Sequence, residues 1–115
     1  MNRGFMQPRR TVGGMARDYR TVTPEEFTAA EGLSAWRVEE AQATTRFATG
    51  DFATGLRLVN EIGRLAEEAN HHPDLTLRYP EVEVWLGTHD TGTVTDADVS
   101  LAQQISAAAA ALGIG

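Results

Sequence analysis

The chain has 115 residues, neither cysteine nor lysine, and sixteen acids against ten arginines for a net charge of −6. No cysteine means no disulfide, thiol nucleophile, iron–sulfur cluster or thiolate zinc site; no lysine means no Schiff base, pyridoxal phosphate anchor or phosphate-loop lysine. The acidic balance argues against nucleic acid as a partner, and the absence of a long apolar run argues against a membrane span, which leaves one compact domain suited to a reducing cytoplasm.

Residues 1–17 hold four arginines, three glycines and no acid, and no apolar stretch follows Arg9-Arg10 as an export signal requires. They read as a disordered basic tail ahead of a domain over 18–115, in preference to an arm that touches a partner.

Thr23-Pro24-Glu25-Glu26 supplies a cap, a proline at the first helical position and acids in the first turn, so a short helix starts here and ends near Glu31-Gly32. Trp36, Val38, Thr45 and Phe47 recur with period two and predict a hairpin of strands 35–39 and 44–48. Asp51 caps a long helix reaching about Ala69, with Phe52, Leu56, Val59, Ile62, Ala66 and Ala69 as its buried stripe. His71-His72-Pro73 ends it, because proline disfavours helical geometry in the residue before it.

Alternation returns over 75–79 and 82–88, with Pro80-Glu81 as the turn between the strands. Thr95 caps the last helix, Asp98 stands at its third position, and Val99, Ala102, Ile105, Ala109 and Leu112 form its buried face until Gly113. The expected fold is α+β: a four-stranded antiparallel sheet with two long helices on one face and a short N-terminal helix, in the order α-β-β-α-β-β-α. Its strand edges need cover, and a second copy of the chain is one way to supply it.

The three histidines fall within residues 71–89. Glu67 precedes His71 by one helical turn, so the two can share a face, and the helix C-terminus favours positive charge on His71 and His72. His89 closes the fourth strand. Each residue also has a plain structural reading. Adjacent histidines before a proline can simply stop a helix, Glu67 and His71 can be a surface pair, and Asp98 is explained as a cap. Trp85 suits a subunit contact as well as a pocket wall. Glu67, His71 and His89 would also serve as three zinc ligands, although no His-Glu-x-x-His signature is present.

The run from Leu65 to Asp74, with Tyr79, Thr88-His89-Asp90, Thr95 and Asp98 to Ala102, resembles the pterin-4a-carbinolamine dehydratases (4a-hydroxytetrahydrobiopterin dehydratases). The family pattern has an acid or polar residue four before His-His-Pro, an aromatic six after the proline, a histidine ten further on and an aspartate beyond. Glu67, His71, His72, Pro73, Tyr79, His89 and Asp98 meet those positions in turn.

The resemblance implies a hydro-lyase that converts 4a-hydroxytetrahydropterin to quinonoid dihydropterin in tetrahydrobiopterin recycling, with no metal or organic cofactor. It implies a homodimer joined sheet edge to sheet edge, or a homotetramer of such dimers. On the same ground His71 and His89 form an acid–base pair and His72 binds and orients the pterin. Glu67, Pro73, Tyr79, Thr88, Asp90 and Asp98 bind substrate or support the cleft, Glu67 by accepting hydrogen bonds from the pterin or orienting His71. The alternative within the resemblance is a non-catalytic dimeric scaffold, a cofactor or assembly chaperone for another protein.

Two positions depart from the pattern. Leu75 stands where many relatives have a bulky residue, and Gly92-Thr93 replaces a Gly-Gly pair. If the second of that pair needs positive φ, threonine fits poorly, so the His89 loop is expected to sit differently.

Overall fold

The computed structural model describes residues 19–114, so the basic tail expected over 1–17 lies outside the described residues. The elements follow the expected order: α1 (Pro24–Ala29), β1 (Arg37–Glu39), β2 (Gln42–Ala48), α2 (Phe52–Ala69), β3 (Asp74–Arg78), β4 (Glu81–Leu86) and α3 (Asp96–Ala111). The strands form one antiparallel sheet in the order β1-β2-β4-β3, leaving β1 and β3 as its edges.

All three helices start at the residues that local hydrogen bonding selects. Thr23 and Glu26 form a capping box on α1, Asp51 accepts from the Thr54 N–H at 2.8 Å, and Thr95 and Asp98 form a second box on α3. The α1 helix stops at Ala29, short of Glu31-Gly32, because two backbone turns take over. Leu33 N–H bonds Ala30 O and Trp36 N–H bonds Leu33 O, which buries Leu33 and Trp36. The same turn shortens β1 at its start. At its other end a two-residue reversal at Glu40-Ala41, both at positive φ, lets pairing resume at Gln42. At the second hairpin the turn is Tyr79-Pro80, and β4 ends at Leu86 because Thr88 bridges to Thr93 instead.

One sheet face carries Ala43, Thr45 and Phe47 opposite Leu86, Val84 and Val82, with Leu75 and Leu77 alongside. Leu58, Ile62, Leu101, Ala102 and Ile105 of the helices close over this face and complete the core. The buried stripe of α2 is rotated from the expected one: Gly55, Leu58, Ile62, Leu65 and Ala66 face inward. Phe52 and Leu56 are 50% and 44% exposed. The cause is close approach at Gly55, where a Cβ would lie 2.8 Å from Leu77 Cδ1 and 3.4 Å from Val82 Cγ2. Leu101 likewise joins the core from α3, where Val99 and Leu112 are only partly covered.

The opposite sheet face is polar at one end. Arg46 lies 3.4 Å from both Glu81 and Glu83, and Arg78 lies 3.1 Å from Glu81. Trp85 stands on this same open face, in register with Thr44 and Asp74. No described helix is long and apolar enough to cross a membrane.

Candidate active site

The histidines gather where α2 ends, β3 begins and β4 runs out. Asn70 adopts the left-handed conformation (φ 50°, ψ 46°), and its N–H reaches the carbonyls of Ala66 and Glu67. His71 N–H then returns to Ala66 O at 3.1 Å, so the chain leaves the helix with the His71 ring turned inward. Pro73 prevents further helix and feeds directly into β3.

His71 is 9% exposed, and its Nε2 lies 2.6 Å from Oδ1 of Asp98, which is fully buried. A carboxylate only accepts, so Nε2 carries a proton, and in the neutral ring Nδ1 is the acceptor. The second oxygen of Asp98 accepts from the Thr88 hydroxyl at 2.7 Å and from Thr95 N–H at 2.9 Å. Thr88 has given its only proton to Asp98, so in the 2.8 Å contact between the two threonines the Thr95 hydroxyl donates. Thr95 in turn accepts from Ala97 N–H at 3.2 Å. This buried network is therefore satisfied on both carboxylate oxygens.

His72 and Glu67 form a second pair, at 2.6 Å, in which both side chains are exposed. Glu67 thus meets His72 rather than His71: the left-handed residue at Asn70 breaks the one-turn spacing that would have aligned Glu67 with His71. His89 is exposed, and among the described residues its ring has no hydrogen-bond partner.

Two adjoining cavities share His72, Gly87, Thr88 and His89 as a common wall. The larger, about 260 Å³, opens over the polar sheet face and is bounded by Trp85, Asp74 and the β1–β2 hairpin. The smaller, about 190 Å³, is bounded by His71, Asp90 and Tyr19. The three imidazoles therefore border one cleft in three settings. One is buried and held by a carboxylate, one is exposed and paired, and one is exposed without a partner among the described residues.

Of the residues singled out from sequence, the structure brings together Glu67, His71, His72, Thr88, His89, Asp90 and Asp98. Pro73 acts through chain direction and is half-buried. Tyr79 is not brought to the cleft: it is 67% exposed at the β3–β4 turn, at the far end of β3, roughly 20 Å away at strand spacing. Glu67, His71 and His89 do not converge as zinc ligands, and no group of three such side chains among the described residues is placed to hold a metal ion. Leu75 packs against the core rather than lining the cleft, and Trp85 supplies the aromatic wall. In the His89 loop only Gly92 has positive φ (69°), so Thr93 meets no conformational conflict, and the loop closes through the Thr88–Thr93 bridge. Glu40, Ala41, Gln42 and Tyr19 also line the cleft; nothing in their local sequence marks them, because tertiary pairing alone brings them there.

A family model described as pterin 4 alpha carbinolamine dehydratase matches residues 20–108. The chain belongs to that family. A Metallosphaera sedula protein provisionally named pterin-4-alpha-carbinolamine dehydratase is 42% identical over 77 residues, covering 67% of this chain and 80% of the relative. Among solved structures, a transcriptional coactivator/pterin dehydratase from Brucella melitensis superposes with a TM-score of 0.68 at 28% identity, over 76% of this chain and 97% of that one. A pterin dehydratase-like protein identified as a RuBisCO assembly factor in the alpha-carboxysome shares the dehydratase fold at TM-score 0.52 and 22% identity, over 63% of this chain and 83% of its own.

Proposed function

We propose that the protein dehydrates 4a-hydroxytetrahydropterin to the quinonoid dihydropterin by histidine general acid–base catalysis. The observation that carries this reading is the convergence of His71, His72 and His89 on one cleft, with His71 held at 2.6 Å by buried Asp98. The substrate bears a hydroxyl on C4a and a hydrogen on N5. The C4a–O bond breaks as a proton reaches the departing oxygen; a base takes the N5 proton, a C4a=N5 double bond forms, and water leaves. Both transfers suit imidazoles, whose ordinary pKa lies near neutrality, and each such step contributes typically about 10²–10⁴-fold.

His71 and His89 act as the acid–base pair. His71 presents Nδ1 as an acceptor, because Asp98 holds the proton on Nε2. His72, steadied by Glu67, orients the ring, and Trp85 offers it an aromatic wall. A purely scaffolding protein has no use for three imidazoles clustered on one cleft. The edges left by β1 and β3 give a homodimer its route of assembly, sheet joined to sheet, and light scattering on the purified chain measures the resulting mass.

The test of the activity mixes purified protein with enzymatically generated 4a-hydroxytetrahydropterin and follows the ultraviolet absorbance of the quinonoid product. Acceleration over buffer, lost on His71→Ala and on His89→Ala, is the expected result. No acceleration by the wild-type chain, or full activity in both variants, overturns it.

A further inference from the structure

The larger cavity has a cause in the sheet register. Ala43 pairs with Leu86, so the next residues along, Gln42 and Gly87, face each other on the open side of the sheet. The Gln42 side chain leans over Gly87, where a Cβ would lie 3.2 Å from its Cγ and 3.7 Å from its Nε2. On the other flank Asp74 pairs with Trp85, and the same register carried two residues further sets His72 beside Gly87. Three neighbouring positions across the sheet therefore read Gln42, Gly87, His72, and the middle one has no side chain. The notch bounded by Gln42, Gly87 and His72 is the cavity, with Trp85 in the adjoining row.

The Gln42 side chain is half-buried in this wall, and among the described residues its carboxamide has no hydrogen-bond partner. A carboxamide offers two donors and an acceptor, and one held partly out of water without a partner is placed to receive a ligand group. The two-residue turn at Glu40-Ala41 gives the hairpin little freedom to carry Gln42 away.

We propose that Gln42 is a specificity residue, its carboxamide oxygen accepting a hydrogen bond from the 2-amino group of the pterin ring. This rests on the pterin reading above. In the six-membered pyrimidine ring of a pterin, C2 lies directly across from C4a. A ring whose C4a faces the histidine wall turns its 2-amino group to the opposite wall, and that wall is Gln42. The flat ring stands in the notch between Gln42 and the histidines.

Two heterocycles test this: pterin, and lumazine, which carries an oxo group in place of the 2-amino group. Binding is followed by quenching of tryptophan fluorescence, since Trp85 borders the notch. Wild-type protein should bind pterin, and the carboxamide can also turn its NH2 to the 2-oxo group of lumazine. Gln42→Met, which keeps side-chain length but removes the carboxamide, should weaken pterin binding about tenfold, the scale of one lost hydrogen bond. In turnover the loss should fall on KM rather than kcat, and Gln42→Glu, which can only accept, should hold pterin and reject lumazine. A Gln42→Met protein of wild-type melting temperature that binds pterin as tightly as wild type overturns the assignment while leaving the dehydratase reading intact. A wild-type chain that neither binds pterin nor turns over the carbinolamine overturns both.

Discussion

The Nε2 of His71 and Oδ1 of Asp98 stand 2.6 Å apart, so that the residue following the α2 cap is held by the third residue of α3. Replacing Asp98 with asparagine keeps the shape but can turn an amide N–H toward His71, forcing the proton onto the other ring nitrogen. Asp98→Asn is expected to lower kcat about 10²-fold and to cost about 1.5–3 kcal/mol of stability, the scale of a buried hydrogen bond to a charged group. Turnover and thermal melting on the same sample check both; wild-type kcat would show that the tautomer of His71 is immaterial.

The exposed pair of Glu67 and His72 predicts the opposite split. Glu67→Gln should change stability by less than about 1 kcal/mol, since solvent screens both partners. Its effect should appear as a severalfold rise in KM, read from a substrate titration.

Asp51 gives a pH signature. The Thr54 hydroxyl, then the Thr54 backbone N–H, hold its carboxyl below the ordinary value of 3.8. A carboxyl whose folded pKa is depressed adds stability that is complete above 3.8 and lost as pH falls through the lower, folded value. Asparagine caps equally well but does not titrate. Melting temperatures of wild type and Asp51→Asn should therefore run parallel from pH 7 to 5, and below about pH 4 the wild type should fall more steeply.

Gly55 separates two packing effects. Gly55→Ala places its Cβ against the end of the Leu77 side chain, which can swing aside, and gains about 1 kcal/mol of helix propensity. It should stay within about 1 kcal/mol of wild type. Gly55→Leu has no such escape between α2 and the sheet and should cost about 1–3 kcal/mol, measured by denaturant unfolding.

Element order and helix starts were legible because the signals are local: Thr23, Asp51 and Thr95 each bond a backbone N–H two or three residues on. The histidine cluster was legible for the same reason, since spacing along the chain marks it. What needed the structure was set by tertiary contact. Gly55 counts as neutral in a periodic pattern, yet the close approach it permits rotates the buried face of α2. The hairpin turn at Glu40-Ala41 carries none of the usual Asn-Gly signal, so the reach of β2 to Gln42 was hidden, and with it the far wall of the cleft. The pairing of Glu67 with His72 followed from a left-handed asparagine, a conformation that spacing does not encode.

Asp98 also closes the capping box of α3, so one carboxylate both starts a helix and orients a cleft histidine. Helix ends open locally far more often than whole domains unfold. An opening of the first turn of α3 would take the carboxylate from His71 as well, so amide exchange at Asp98 and Val99 would report on the cleft and on the helix end together.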